Sequence, residues 1–191
     1  LSTHPEPGGR SRADAVRNRQ LALDAAMSLL ASPDATLTVE AIAKQAGLGA
    51  ATVVRAFGGK DALLDAAVSR LLEPVVRRAH DLLAETTAEE SLRTYLRELI
   101  AFQSAHHAIS DQLHGLDLPA TTALRADLVA AVKKMIAGAR HEGAIRSDLD
   151  PEVLSTLVAE TTHAVSRTRP LSQDLVEAYL TVLLDGLRPA S

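Results

Sequence analysis

The chain has 191 residues, 47% of them hydrophobic, and a formal net charge of −4. That is enough apolar material for one core, or for a small domain joined to a larger one. The absence of cysteine excludes disulfide frameworks, thiolate nucleophiles and cysteine-based zinc or iron–sulfur sites.

No stretch is long and apolar enough to suggest a membrane span, and residues 1–12 contain no apolar leader core. A soluble, cytoplasmic protein with no membrane partner is therefore expected. The charge is unevenly spread. From Arg10 to Lys60 the bases Arg10, Arg12, Arg17, Arg19, Lys44, Arg55 and Lys60 outnumber the acids Asp14, Asp24, Asp34 and Glu40, whereas from Asp61 onward 19 acids face 13 bases. A modestly basic head on an acidic body is the pattern expected if only the head meets phosphate.

Apolar residues recur at helical spacing almost throughout, so the fold class is all-α. Residues 1–12, with Pro5, Pro7, Gly8 and Gly9, read as a disordered or weakly ordered arm. A first helix follows, with Val16, Leu23, Met27 and Leu30 as its buried stripe, and stops at Ser32-Pro33-Asp34. Thr38 is the N-cap of a short second helix that turns Ile42 and Ala46 inward and ends at Gly47, where a left-handed residue is needed.

A third short helix runs from about Gly49 to Ala56 and is broken by Gly58-Gly59. A fourth starts at Lys60-Asp61 with Leu63, Leu64, Ala67 and Leu71 on its inner side. Its continuation from Pro74 to Thr86 reads as a separate or kinked helix, since proline is tolerated in a first turn. Further helices are expected over Glu89–His106, Ile109–Gly115, Thr121–Glu142, Pro151–Thr168 and Ser172–Leu187. Asp148 and Asp150 read as a loop and helix N-terminus rather than an acidic catalytic pair.

Residues 38–57 have the spacing of two short helices that cross: Ala43 is small at the crossing, Gly47 allows the turn, and Ile42, Leu48 and Val53 fill the wedge. An ordinary helical corner in an alanine-rich bundle would look similar. A basic helix before the unit and the Phe57-Gly58-Gly59-Lys60-Asp61-Ala62-Leu63 sequence after it favour DNA docking, with Gly49 to Arg55 presented to a major groove.

Here the chain resembles the TetR family of one-component regulators, whose signature matches Ala46-Gly47, Thr52, Phe57, Lys60 and Leu63 at identical spacing. The match is specific over residues 15–70 and architectural beyond them. It departs at Gly49 (usually Ser), Ala51 (Gly), Val54 (a phosphate-contacting Tyr) and Ala56 (His). The resemblance implies Thr38 and Lys60 at phosphates, Ala50, Thr52 and Arg55 at the groove, and Arg10, Arg12 and Arg17 as an arm on the backbone or minor groove.

It further implies a homodimer built by the last two helices. Val153, Leu157, Val158 and Val165 form one apolar stripe, and Leu175, Val176, Tyr179, Leu180, Leu183 and Leu187 another. These stripes offer more surface than one neighbour covers, unless both simply close the monomer core. Leu157, Val165, Leu175, Tyr179 and Leu183 are the candidate interface.

An effector cavity in the body would draw on Phe102, His106, Gln112 and His114. His107, Asp111 and His114 would share a face able to hold a divalent ion only if the helix ran through them, and no further ligand is identifiable. No metal or cofactor is assigned. No nucleophile elbow, phosphate loop or paired carboxylates suggest an enzyme.

The expected organisation is a disordered arm (1–12), a helix-turn-helix DNA-binding domain (13–60) and a helical regulatory and dimerisation domain (61–191). The expected function is regulation of transcription, as a repressor released from double-stranded operator DNA by a small-molecule effector. The alternative is a helical small-molecule-binding or scaffold protein that has lost operator recognition.

Overall fold

The computed structural model describes residues 7–32, 36–107, 116 and 118–189, with side chains from Arg12 onward. Eight helices and no strands occur among them: α1 (Pro7–Leu30), α2 (Val39–Ala46), α3 (Ala50–Phe57), α4 (Lys60–Glu85), α5 (Ala88–Ala105), α6 (Pro119–His141), α7 (Pro151–Ser166) and α8 (Gln173–Gly186). The all-α expectation holds. The expected helix over Ile109–Gly115 lies outside the described residues. No helix among those described is long and apolar enough to cross a membrane.

The chain forms two compact units, one of residues up to Leu71 with Ala108–Thr121, the other of Leu72–His107 with Thr122 onward. In the first, α1, α2 and α3 pack on one another. Two sequence expectations for α1 are corrected. The helix starts at Pro7, so residues 7–12 are helical rather than weakly ordered; proline's fixed φ suits a first turn. Its inner face is Ala22, Ala25, Ala26 and Leu30, while Val16 is 67% exposed and Leu23 and Met27 only half-buried. Alanines on that face bring α2 and α3 close, so the larger side chains are displaced to its margins.

The caps follow their chemistry. The Thr38 hydroxyl accepts from the Ala41 N–H at 3.1 Å, and Gly47 closes α2 at φ 66°. Ile42 is fully buried with Val53, Phe57 and Leu63, while Ala46, expected inward, is half-buried.

Pro74 lies inside a single continuous α4 and does not open a new helix. It withholds the N–H that would have reached the Arg70 carbonyl. On the same helix Asp65 is buried, and its carboxylate reaches the first turn of α6. Oδ2 accepts from the Ala120 N–H at 3.0 Å, and Oδ1 from the Thr121 N–H at 2.8 Å and hydroxyl at 2.7 Å. The acid does from a distance what an N-cap does locally, satisfying donors a helix start leaves open.

Burial works to raise the Asp65 carboxyl, but the hydrogen bonds from Thr121 and Ala120 outweigh it and hold the group below the ordinary carboxylate value. A depressed folded-state value stabilises the fold above the unfolded-state value and loses that contribution as pH falls through the folded one. Asp65→Asn should therefore lower unfolding free energy by about 1–3 kcal/mol at pH 7. The gap from wild type should close in urea titrations carried well below pH 4 or so.

The second unit has its own core: Leu92, Tyr95, Leu96 and Ile100 of α5 against Met135 and Ile136 of α6, Leu154 and Val158 of α7, and Leu180 of α8. Gly138 leaves room for α5, since a Cβ there would stand 2.7 Å from that of Ala88. The close approach lets Glu142 cap α5, its carboxylate accepting from the Ala88 N–H at 3.0 Å and 3.1 Å. Asp150 caps α7 through the Glu152 and Val153 N–H groups, as expected of a helix-start acid. Arg97 of α5 pairs with both carboxylate oxygens of Glu177 on α8.

Candidate functional site

The helix-turn-helix is α2, the turn Gly47–Gly49, and α3. Gly49 precedes α3 without a side-chain cap, and Gly58 ends it at φ 81°. Val53 and Phe57 point into the core, so Ala50, Ala51, Val54 and Arg55 face out. Thr52 is half-buried at the flank of that face.

Around α3 stand two helix N-termini. Thr38 heads α2, and its hydroxyl, accepting from Ala41, retains its own proton to donate. Lys60 is the exposed first residue of α4. Both starts carry the open N–H groups and positive dipole end that suit phosphate. Arg12 and Arg17 are exposed along α1, and nothing is described of the Arg10 side chain beyond its place in α1.

Arg19 has a role the sequence reading missed. Its guanidinium lies 4.0 Å from the Phe57 ring centroid, and Nη1 donates to the Ala56 carbonyl at 2.8 Å. One arginine thus ties α1 to the last turn of α3 by cation–π contact and a bond to a helix-end carbonyl. Only its place in the basic run before the motif hinted at this.

In the second unit a cavity of about 190 Å³ is lined by Pro74, Val75, Arg78, Tyr95 and Glu98. Tyr95 is 1% exposed, and its hydroxyl has no hydrogen-bond partner among the described residues. Burial first, and then the nearby Glu98 charge, push the Tyr95 phenol well above its ordinary value, so it remains a neutral donor. Arg78 and Glu98 form a bidentate pair at 3.0 to 3.3 Å beside it.

Of the residues expected to bind an effector, Phe102 and His106 are described and do not line this cavity. Phe102 and His106 stack on each other with centroids 4.6 Å apart, and His106 Nδ1 is 2.8 Å from the Phe102 carbonyl. Gln112 and His114 fall outside the described residues, as does Asp111. His107 Nδ1 lies 2.7 Å from Arg169 Nη2, so in that contact the arginine donates and the ring nitrogen accepts.

The last two helices divide their apolar residues between two environments. Val158, Val176, Leu180 and Leu187 belong to the unit's own core, so part of each stripe closes the monomer. Val165, Tyr179 and Leu183 are half-buried against that core, and Tyr179 Oη lies 2.9 Å from both the Thr161 and Thr162 hydroxyls. Leu157 (51% exposed) and Leu175 (36%) do point outward, together with Val153 (54%) and Val182 (73%).

A capped helix-turn-helix with one exposed recognition face, followed by a separate helical unit, defines a one-component DNA-binding regulator. Residues 22–67 match the model of the tetR family of bacterial regulatory proteins, and residues 87–189 match that of the SbtR-like transcriptional regulator C-terminal domain. The chain belongs to the TetR family of transcriptional regulators.

Among solved structures, it is similar to a TetR regulatory protein from Mycobacterium vanbaalenii (31% identity over 93% of this chain and 98% of that one, TM-score 0.61). It is also similar to the TetR regulator SCO0520 from Streptomyces coelicolor (30% identity, 91% and 99% covered, TM-score 0.63). FadR from Bacillus subtilis, solved in complex with stearoyl-CoA, shares the fold at 19% identity (88% and 99% covered, TM-score 0.69). No curated protein matches the sequence.

Proposed function

We propose that the protein is a cytoplasmic, homodimeric repressor that binds an operator through residues 13–60 and releases it when a small molecule enters the 61–191 region. The observation that carries this reading is the exposed outer face of α3, flanked by the N-termini of α2 and α4 at Thr38 and Lys60. Thr38 and Lys60 anchor phosphates, Ala50, Thr52 and Arg55 meet the groove, and Arg10, Arg12 and Arg17 extend the contact along the backbone. Val153, Leu157, Leu175 and Val182 pair with their symmetry mates, with the half-buried Val165, Tyr179 and Leu183 at the margin. The reading is of a binding protein and assigns no catalytic step.

The cavity at Tyr95 is the effector site in this reading. FadR of B. subtilis was solved with stearoyl-CoA, but the cavity at Tyr95, at about 190 Å³, falls below the range of about 300–1,000 Å³ for drug-sized ligands. It suits a compact molecule with an apolar body and one acceptor for the Tyr95 hydroxyl, which has no hydrogen-bond partner among the described residues. The testing experiment is a fluorescence-anisotropy titration of the full chain against DNA flanking its own gene at fixed salt. Saturable binding that competitor DNA of scrambled sequence does not displace is expected. Affinity equal for flanking and scrambled DNA would favour the reading of a ligand-binding protein that has lost operator recognition.

A further inference from the structure

The face that α3 turns outward is built of methyl groups. Ala50, Ala51, Val54 and Arg55 occupy neighbouring positions on two successive turns and are all exposed, Val54 at 37%, whereas Val53 and Phe57 are buried. Of the four outward side chains only Arg55 can form a hydrogen bond. The face carries no amide to pair with adenine and no carboxylate to accept from cytosine.

Beside the half-buried Thr52 hydroxyl at its flank, the face itself leaves two instruments of base reading. A guanidinium donates in bidentate fashion to guanine O6 and N7, and an apolar side chain packs on the C5 methyl of thymine, an apolar group displayed on the major-groove edge. Val54, with two methyl groups and no polar side-chain atom, has nothing to offer a phosphate.

We propose that α3 recognises thymine methyl groups: Val54 and Ala51 pack on thymines next to a guanine read by Arg55, with Ala50 close to the same strand. This rests on α3 being the recognition helix and goes beyond it by naming the bases. The half-site is therefore thymine-rich around one guanine, and its discrimination at the thymine positions is by shape and dispersion rather than hydrogen bonding.

The test selects binding sites for the full-length protein from a randomised duplex pool, then replaces individual thymines in the winning site by deoxyuridine. That exchange removes one methyl and keeps every hydrogen-bonding group. Half-sites with a guanine flanked by thymines are expected. Each contacted methyl should be worth roughly fourfold in affinity, and a symmetric pair about fifteenfold. In Val54→Ala, a change at an exposed position that leaves the core untouched, the deoxyuridine penalty at the Val54 step should shrink, since alanine keeps one methyl group but reaches less far.

Selected sites that bind equally well with deoxyuridine throughout would overturn thymine reading and leave operator binding standing. So would a penalty unchanged in Val54→Ala. Failure of the pool to yield any preferred site would overturn both.

Discussion

Leu157→Asp should leave a folded protein that is monomeric in light scattering at micromolar concentration and binds operator roughly 100-fold more weakly, or worse. The position is 51% exposed on α7, and Val153, Leu175 and Val182 form the rest of an outward apolar surface on α7 and α8. The core beneath is filled by Val158, Leu180 and Leu184, so a charge at Leu157 does not disturb packing within the monomer. In a symmetric pair it would meet the same charge or an apolar surface of the partner, and either is costly to desolvate.

Affinity suffers because a two-fold operator is held by two recognition helices about 34–36 Å apart. Once the subunits separate, each half-site must be bound as an independent event. Val182→Asp, at the most exposed of these positions, should behave alike. A dimer retained by both variants would move the interface elsewhere.

Arg55→Ala should weaken specific binding by about 1–3 kcal/mol per half-site, a loss of roughly 30-fold or more on the full site, and relax preference at one base. Arg55 is the one hydrogen-bonding side chain on the outer face of α3, and the other exposed bases described in this unit include Lys44 on α2, arginines on α1 and Lys60 at the start of α4. Lysine keeps the charge but not the planar fork. Arg55→Lys should therefore restore affinity for bulk DNA more than it restores discrimination. If Arg55→Ala bound the selected site as tightly as wild type in anisotropy titrations at fixed salt, Arg55 would be no more than a surface charge.

The helix-turn-helix was legible because its determinants are local. Thr38 caps within three residues, Gly47 and Gly58 must be left-handed, and the Ala43 and Ile42 pair needs only its own helix to define which way it faces. Long-range facts were not legible. Nothing near Arg19 announces the Phe57 ring 38 positions on, and nothing near Asp65 announces the backbone of Ala120 and Thr121.

Hydrophobic periodicity located the apolar stripes of α7 and α8 but could not apportion them. Whether Leu157 or Val158 faces the core depends on a rotation about the helix axis that neighbouring helices set. For the same reason Tyr95 reads in sequence as one aromatic among few. Only the packing shows a phenol buried without a hydrogen-bond partner among the described residues, while the effector residues expected from sequence, Phe102, His106, Gln112 and His114, belong to the segment that follows it.

Pro74 gives α4 a preferred place to bend. A helix is stiff because curvature must stretch the hydrogen bonds along its convex side, and at this turn one such bond is missing from the start. The same residue, with Val75, forms part of the wall around Tyr95. A molecule wedged there would press on the helix at its compliant point, with a lever of about 20 Å running back from Pro74 to Lys60.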